Sequence, residues 1–487
     1  MEVKRSDEGR LCRSSWYVAA LFCAAGLFGL NHQTYAQTAV VKTAESSNRD
    51  PNAETVTKIT APFTVTAVGD IIEPQPLYSD DPGFQQLVER IHTADVGFGN
   101  MESSLVDFHT FQGPVAGTEA PLETGDAIKA MGITLLSRAN NHAFDGGVLG
   151  MISTDEALDK LGIAHAGTGR NLQEARAAHY VETPKGRVGL VSVYSVDDSS
   201  EYGPNFAKTE ATYRNGNLGG APGLNPLHLT TYHVVSPEQL QTLRQMALSV
   251  YGNRGNPAPA AEEAGPDRLR FFDEWYEGGA EVGSLHYAMN PNDEKDILQS
   301  VRNGKIFADF MIVTVHAHQT TRYSVQGRGA VDHNAADFLV KLAHESIDNG
   351  ADMFVAHGVH ALHGVEIYNG RPIFYGISNF VFQYGLQVES AYDIMATAKE
   401  KSGHENPANQ ESVLTTSRFE GGKLKEVRLY PVDLGGARRP ISRMGIPLTP
   451  SSGEAQRILK ELQEYSRPFG TKISIEDNVG VIHIDAH

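Results

Sequence analysis

From about Ala61 onward, apolar β-branched runs alternate with amphipathic helical stretches, and run after run stops at a polar or metal-binding type of residue. No other feature constrains the chain so tightly, because strands alternating with helices pack as the layers of an α/β protein. FTVTAVGD reads as a strand ending at Asp70, FQQLVERIHTA as a helix, DVGFGNME as a strand reaching Glu102, and GDAIKAMG as a helix before ITLLSRANNH. TDEALDKLG, GRVGLVSVYS, ADFMIVTVHAH, AADFLVKLAHESIDNGA and DMFVAHGVH keep the rhythm. Near the end, GEAQRILKELQEYS has the period of an amphipathic helix, and TKISIED with GVIHID reads as a closing hairpin.

Two segments fall outside this rhythm. At the start, Lys4, Arg5, Arg10 and Arg13 precede an apolar run over residues 16 to 30, and Thr34-Tyr35-Ala36 offers small residues where a signal peptidase reads. Residues 1–36 are therefore expected to be a cleaved signal peptide, since a run of about 15 residues falls short of the ~20 that span a bilayer. Residues 37–60 are polar and poor in aromatics, the composition of a flexible linker. The folded domain then covers 61–487, interrupted at about 198–292 by a stretch rich in Gly, Pro, Asn and Tyr that reads as an irregular insertion, a lid or a substrate wall. Cys12 and Cys23 both fall inside the leader, so the mature chain is expected to have neither disulfide nor thiolate chemistry.

Charge narrows the partners. With 41 basic and 59 acidic residues the formal charge is −18, which repels a polyphosphate backbone, so nucleic acid is not expected as a partner. The same charge opposes a polyanionic substrate unless a basic groove or bound cations offset it. No stretch after the leader is apolar enough to span a membrane, so export without a retained transmembrane segment is the expectation.

The chemistry sits in five short segments: Asp70 in AVGDII, Glu102 in GNMES, Asn141 and His142 in ANNH, His316 and His318 in VTVHAH, and His357, His360 and His363 in VAHGVHALHG. In an open α/β sheet the carboxyl ends of neighbouring strands face one crevice, so groups distant in sequence meet there. Each has a plainer reading by itself. Gly-Asp after a strand is usually a turn, a lone glutamate is usually solvated, and with 19 histidines in the chain His318 and His363 read as bystanders. Their recurrence at successive strand ends favours a shared metal site. Carboxylate, amide oxygen and neutral imidazole together suit Mn, Fe or Zn better than Mg or Ca, which prefer oxygen alone.

The order GD, GNxE, ANNHxxDxG, a strand ending in His, and then HxxHxLxGVEIYNGRPIFYGISNFVF resembles the CapA family of capsule and poly-gamma-glutamate synthesis proteins. The likeness runs from about Phe63 to Ile484, and its most specific part joins His357 and His360 to Glu366, a GRP turn and the SNFVF strand. It implies a calcineurin-like metallophosphoesterase fold, a layered α/β sandwich with two central sheets. It implies one or two divalent ions held by Asp70, Glu102, Asn141, His316, His357 and His360, with His142 beside them as general acid. Asn140, Asp145 and Asn379, with His318, are carried over as outer or substrate-contacting positions. Glu73-Pro74 departs from the family's usual continuation after GDII, and AHGVH from a GHxxH-like form.

The implied function is an exported protein of capsule or poly-gamma-glutamate biosynthesis, found in the periplasm, at the cell surface or in the medium. It would act as a metal-dependent hydrolase on a phosphoester or an envelope-polymer linkage. Its expected partners are a cell-envelope or capsule polymer and other capsule-assembly proteins. The alternative is a non-catalytic accessory whose cleft binds the polymer. A zinc amidohydrolase of another fold is disfavoured, since the early HxH it needs is missing.

Overall fold

The inner faces of two sheets meet along rows of residues spaced two apart, the period that puts side chains on one side of a strand. In this computed structural model, which describes residues 55–115, 118–197, 210–213, 219–251, 265–322, 332–383 and 407–484, six strands carry the argument: β1 (Phe63–Ile72), β2 (Val96–Met101), β3 (Leu135–Ser137), β4 (Phe310–His316), β5 (Met353–His357) and β6 (Asn379–Phe382). The first sheet runs from Ser474–Glu476 through Val479–His483, Lys423–Asp433 and Glu411–Glu420 to β1, β2, β3 and Ala164–Ala166, with β6 also on β1. The second centres on Gly186–Asp197, β4 and β5, flanked by Pro226–Val235 and by Arg371–Phe374 with Val365–Tyr368.

Phe63, Val65 and Ala67 of β1 and Val96 and Phe98 of β2 pack against Val188, Leu190, Phe310, Ile312, Met353 and Val355 of the second sheet. Phe310 sits between Phe63 and Phe419, with ring centroids 5.3 and 4.9 Å away. Burial of each large side chain here contributes about 1.5–3 kcal/mol. The outward residues of the first sheet, such as Val68, Ile71 and Leu136, meet the helices Pro82–His92, Glu123–Ala130 and Gly147–Leu161. Those of the second, such as Met311, Val313 and Phe354, meet Pro291–Phe307 and Asp337–Asp348. The layers are thus helix, sheet, sheet, helix, the α/β layering that the alternation implies and the two-sheet sandwich that the resemblance implies.

The leader 1–36 and most of the linker 37–60 lie outside the described residues, as does part of the 198–292 segment. No helix among the described residues is long and apolar enough to cross a membrane. The described part of 198–292 is more regular than its composition implies. Pro226–Val235 joins Gly186–Asp197 in parallel, Glu274–Gly278 and Leu285–Met289 pair with it, and Pro237–Tyr251 is a helix. The Gly- and Pro-rich ends of the segment set the expectation of irregularity, while the alternating PLHLTTYHVV between them makes a strand.

His228 ties that strand to its surroundings. Its Nδ1 lies 2.5 Å from Asp293 and its Nε2 3.0 Å from Glu210, and these two hydrogen bonds push the imidazole up to about 10. A group raised in the folded state stabilises fully below its unfolded value of ~6.5 and loses that contribution as pH rises through about 10. The stability difference between the wild type and His228→Gln, read as a urea midpoint, is expected to be largest near pH 6 and to shrink as pH rises through about 10.

Candidate metal centre

The inner-face rows do not end in apolar residues. Phe310, Ile312 and Thr314 lead on to His316, and Met353 and Val355 lead to His357, which stands in register with His316 across the parallel pair β4–β5. In the first sheet Val96 and Phe98 lead to Asn100, opposite Asp70. Asp70 has the opposite parity to Phe63, Val65 and Ala67, and a register shift between Ala67 and Asp70 in the pairing with β2 accompanies its turn inward. Gly69 permits this, since a Cβ there would stand 1.8 Å from the Ser378 carbonyl oxygen.

Asp70 and Glu102 are fully buried. One Asp70 oxygen accepts from Asn100 Nδ2 at 2.8 Å and lies 3.6 Å from His357 Nδ1. The other accepts from the Gly358 amide at 3.1 Å and lies 3.3 Å from His360 Nδ1. His360 adopts a positive φ of 52°, a strained conformation for histidine, and its Nδ1 is 2.7 Å from Asn379 Oδ1. His316 Nδ1 lies 2.9 Å from His357 Nδ1, and its Nε2 2.9 Å from His318 Nε2. Gly358, at φ 103°, leaves room for that ring, because a Cβ there would come within 2.9 Å of it.

Around Glu102 Oε1 stand His316 Nε2 at 3.7 Å, His142 Nε2 at 3.9 Å and His360 Nε2 at 4.0 Å. None is close enough for a hydrogen bond. His142 Nδ1 is 2.7 Å from Asp145 Oδ2, and Asp145 also accepts from the Thr118 amide at 3.2 Å. Asn140 shapes the loop beneath: its Nδ2 donates to Asn100 Oδ1 at 3.0 Å and to the Met101 carbonyl at 2.7 Å, and its Oδ1 accepts from the His142 amide at 3.1 Å.

Burial pushes Glu102 up to about 8, helped by the charge of Asp70. Burial also opposes ionisation of Asp70, but the hydrogen bond to His360 and the charges of His357 and His360 outweigh it and hold Asp70 below the usual range. Burial drives His316 well below its ordinary value, and His357 to about 4. His318 falls to about 3 through burial and the charge of His360. His360 moves up to about 9, where Glu102 and Asp70 outweigh burial. Three imidazoles are therefore neutral at neutral pH, the form that binds metal.

The donor set fits a divalent ion. Both oxygens of Glu102, Asn141 Oδ1 and His357 Nε2 are buried without a hydrogen-bond partner, and each such orphan costs about 1–3 kcal/mol in a closed interior. All are ligand atom types. Three overlapping groups bring ligand atoms within 4.8 Å of one another: Asp70, His316 and His357; Glu102, His316 and His318; and Asp70, Glu102 and His360.

The structure thus gathers Asp70, Glu102, His316, His357 and His360, with His142, Asn140, Asp145 and Asn379 around them. His318, expected on the sequence to stand outside, touches His316 directly. His363 lies elsewhere, with Nε2 2.9 Å from the Asp332 carbonyl oxygen, and Glu366 bonds Tyr375 and His344. Sequence reasoning missed Asn100, which contacts both Asp70 and His316; its parity with Phe98 was the signal. It also missed Arg138, a fully buried arginine whose Nη1 donates to the Met101 and Ser103 carbonyls on either side of Glu102, at 3.3 and 2.8 Å.

Comparison with known proteins adds four findings. The family model described as bacterial capsule synthesis protein PGA_cap matches residues 64–384. The uncharacterized protein y4sH of Sinorhizobium fredii is 37% identical over 89% of this chain and 96% of its own length. The PGA biosynthesis protein CapA of Bacillus subtilis is 24% identical over 63% of this chain and 58% of its own. A solved structure titled as a novel phosphatase of Mycoplasma pneumoniae overlays with a TM-score of 0.35 and 8% identity, over 78% of this chain and 98% of that one, a likeness too slight to bear on fold or chemistry.

Proposed function

Since the chain belongs to the bacterial capsule synthesis protein family, we propose that it is an exported, metal-dependent hydrolase acting on a phosphoester or an envelope-polymer linkage. The observation that carries this reading is the pairing of a metal-competent cluster with His142. A cleft that only bound polymer would have no need for an imidazole whose Nδ1 is fixed by Asp145 and whose Nε2 is turned towards Glu102.

Asp70, Glu102, Asn141, His316, His357 and His360 would hold the ion or ions. A divalent ion bound there supplies Lewis-acid polarisation of a phosphoryl or acyl oxygen and lowers the pKa of water. The protein's own residues do the rest. Asp70 supplies negative charge among several imidazoles, Glu102 would do so once an ion displaced the proton that burial favours on it, and Asn100 and the Gly358 amide fix the Asp70 carboxylate. Burial would lower His142, but the charge and hydrogen bond of Asp145, with Glu102, raise it above its ordinary value. His142 thereby holds its proton to higher pH than a free imidazole and can pass it from Nε2 to a leaving oxygen. Its side chain is 22% exposed, so this is a histidine that a substrate can reach.

The test is hydrolysis of generic phosphomonoesters and phosphodiesters by the mature protein in manganese, iron(II) or zinc. His142→Ala is expected to keep metal and lose about 10²–10⁴-fold in rate, the usual contribution of a positioned acid. Asp145→Asn should lose less and shift the basic limb of the pH profile downward. Full metal occupancy with no turnover on any such linkage would overturn the hydrolase reading and leave a polymer-binding accessory.

A further inference from the structure

We propose that His318 is itself a metal ligand and that, with Glu102 and His316, it forms a nitrogen-rich centre that selects zinc-like first-row ions over magnesium. The inference rests on the metal-site reading above and narrows it. His318 follows His316 by two residues, and the Ala317 amide donates to the His357 carbonyl at 2.8 Å, so the strand pairing continues one residue past the end of β4. The period of two then sets both imidazoles on the same face, and their rings meet with centroids 4.8 Å apart.

The distances fit one ion. Ligand atoms that share an ion at ~2.1 Å stand roughly 2.9–3.5 Å apart, from a right-angle to a tetrahedral arrangement. His316 Nε2 to His318 Nε2 is 2.9 Å and His316 Nε2 to Glu102 Oε1 is 3.7 Å, so modest inward movement of Glu102 closes the set. A role for His318 as a hydrogen-bonding partner that merely orients His316 explains less. Two ring nitrogens share a single proton, and Glu102 would remain with both oxygens unsatisfied. An ion among the three gives both facing imidazole nitrogens and a Glu102 oxygen a partner at once. Two imidazoles and one carboxylate suit zinc, iron(II) or cobalt(II), whereas magnesium favours an all-oxygen shell.

Zinc, cobalt(II), manganese and magnesium are titrated into the metal-stripped full chain and into His318→Gln, His318→Asp and His357→Ala. Elemental analysis and cobalt(II) visible absorption are the readouts. In His318→Gln, zinc affinity at this centre should fall by more than the roughly 10–100-fold that loss of an outer hydrogen-bonding partner costs, and the cobalt(II) bands should weaken and shift. His318→Asp should regain metal with its preference moved towards manganese, which loss of mere packing would not produce and which keeps the test decisive if the glutamine variant folds poorly. Wild-type zinc affinity and an unchanged cobalt(II) spectrum in His318→Gln would overturn the inference. If His357→Ala still lost metal in that case, the underlying site would stand; a wild type that bound none of these ions would remove both.

Discussion

Glu102→Met is expected to make the metal-free protein more stable while weakening its hold on metal. The carboxylate is fully buried, neither oxygen has a hydrogen-bond partner, and burial with the neighbouring Asp70 pushes it up to about 8. Methionine has similar length and no polar atom to satisfy, so the substitution removes a desolvation cost of about 1–3 kcal/mol. Urea unfolding in the presence of a chelator should show a gain of that order. In the presence of metal the sign reverses, because a ligand that binds only the folded state stabilises it by RT ln(1 + [L]/Kd), and the variant forgoes much of that term. Destabilisation of the chelated protein by more than about 1 kcal/mol would mean that Glu102 is satisfied in some other way.

Lys305→Met should do the opposite: lower stability and leave metal binding alone. Lys305 Nζ lies 2.5 Å from Asp352 Oδ2, with both side chains almost completely buried. Asp352 also accepts from the Met311 amide at 2.8 Å and lies 3.3 Å from Arg371 Nε. Removing one member of a buried pair strands the other, at about 3–5 kcal/mol, and the remaining arginine puts the expectation at the lower end. Asp352 immediately precedes β5, whose five residues separate it from His357 by about 16 Å of extended chain. Urea midpoints and zinc stoichiometry measured on one preparation decide the matter. Loss of metal in Lys305→Met would show that the two ends of β5 are not independent.

Much of this was legible in the sequence, for a specific reason. β4 and β5 are apolar on both faces because both are covered, so FMIVTVH and MFVAH read as buried strands with their ends marked by histidine. Asn100 escaped notice because its role comes from parity with Phe98, and asparagine in a strand carries no signal by itself. Arg138 escaped because a charged residue after a short strand reads as solvated, and only the fold closes over it. The strands of residues 226–289 were obscured by their flanks, whose glycines and prolines dominate any averaged window. His318 was discounted as one histidine among many, and only the path of β4 beyond His316 sets it against its neighbour.

The chain path past β5 has a mechanical consequence. After β5 and the hairpin Val365–Tyr368 with Arg371–Phe374 in the second sheet, the chain crosses to the first sheet and enters it as β6 beside β1, with Asp70 in register with Asn379. The site therefore lies where one continuous segment laces the two sheets together. The inner faces of the same two sheets also share a buried core, so sliding one described sheet against the other would have to break that packing.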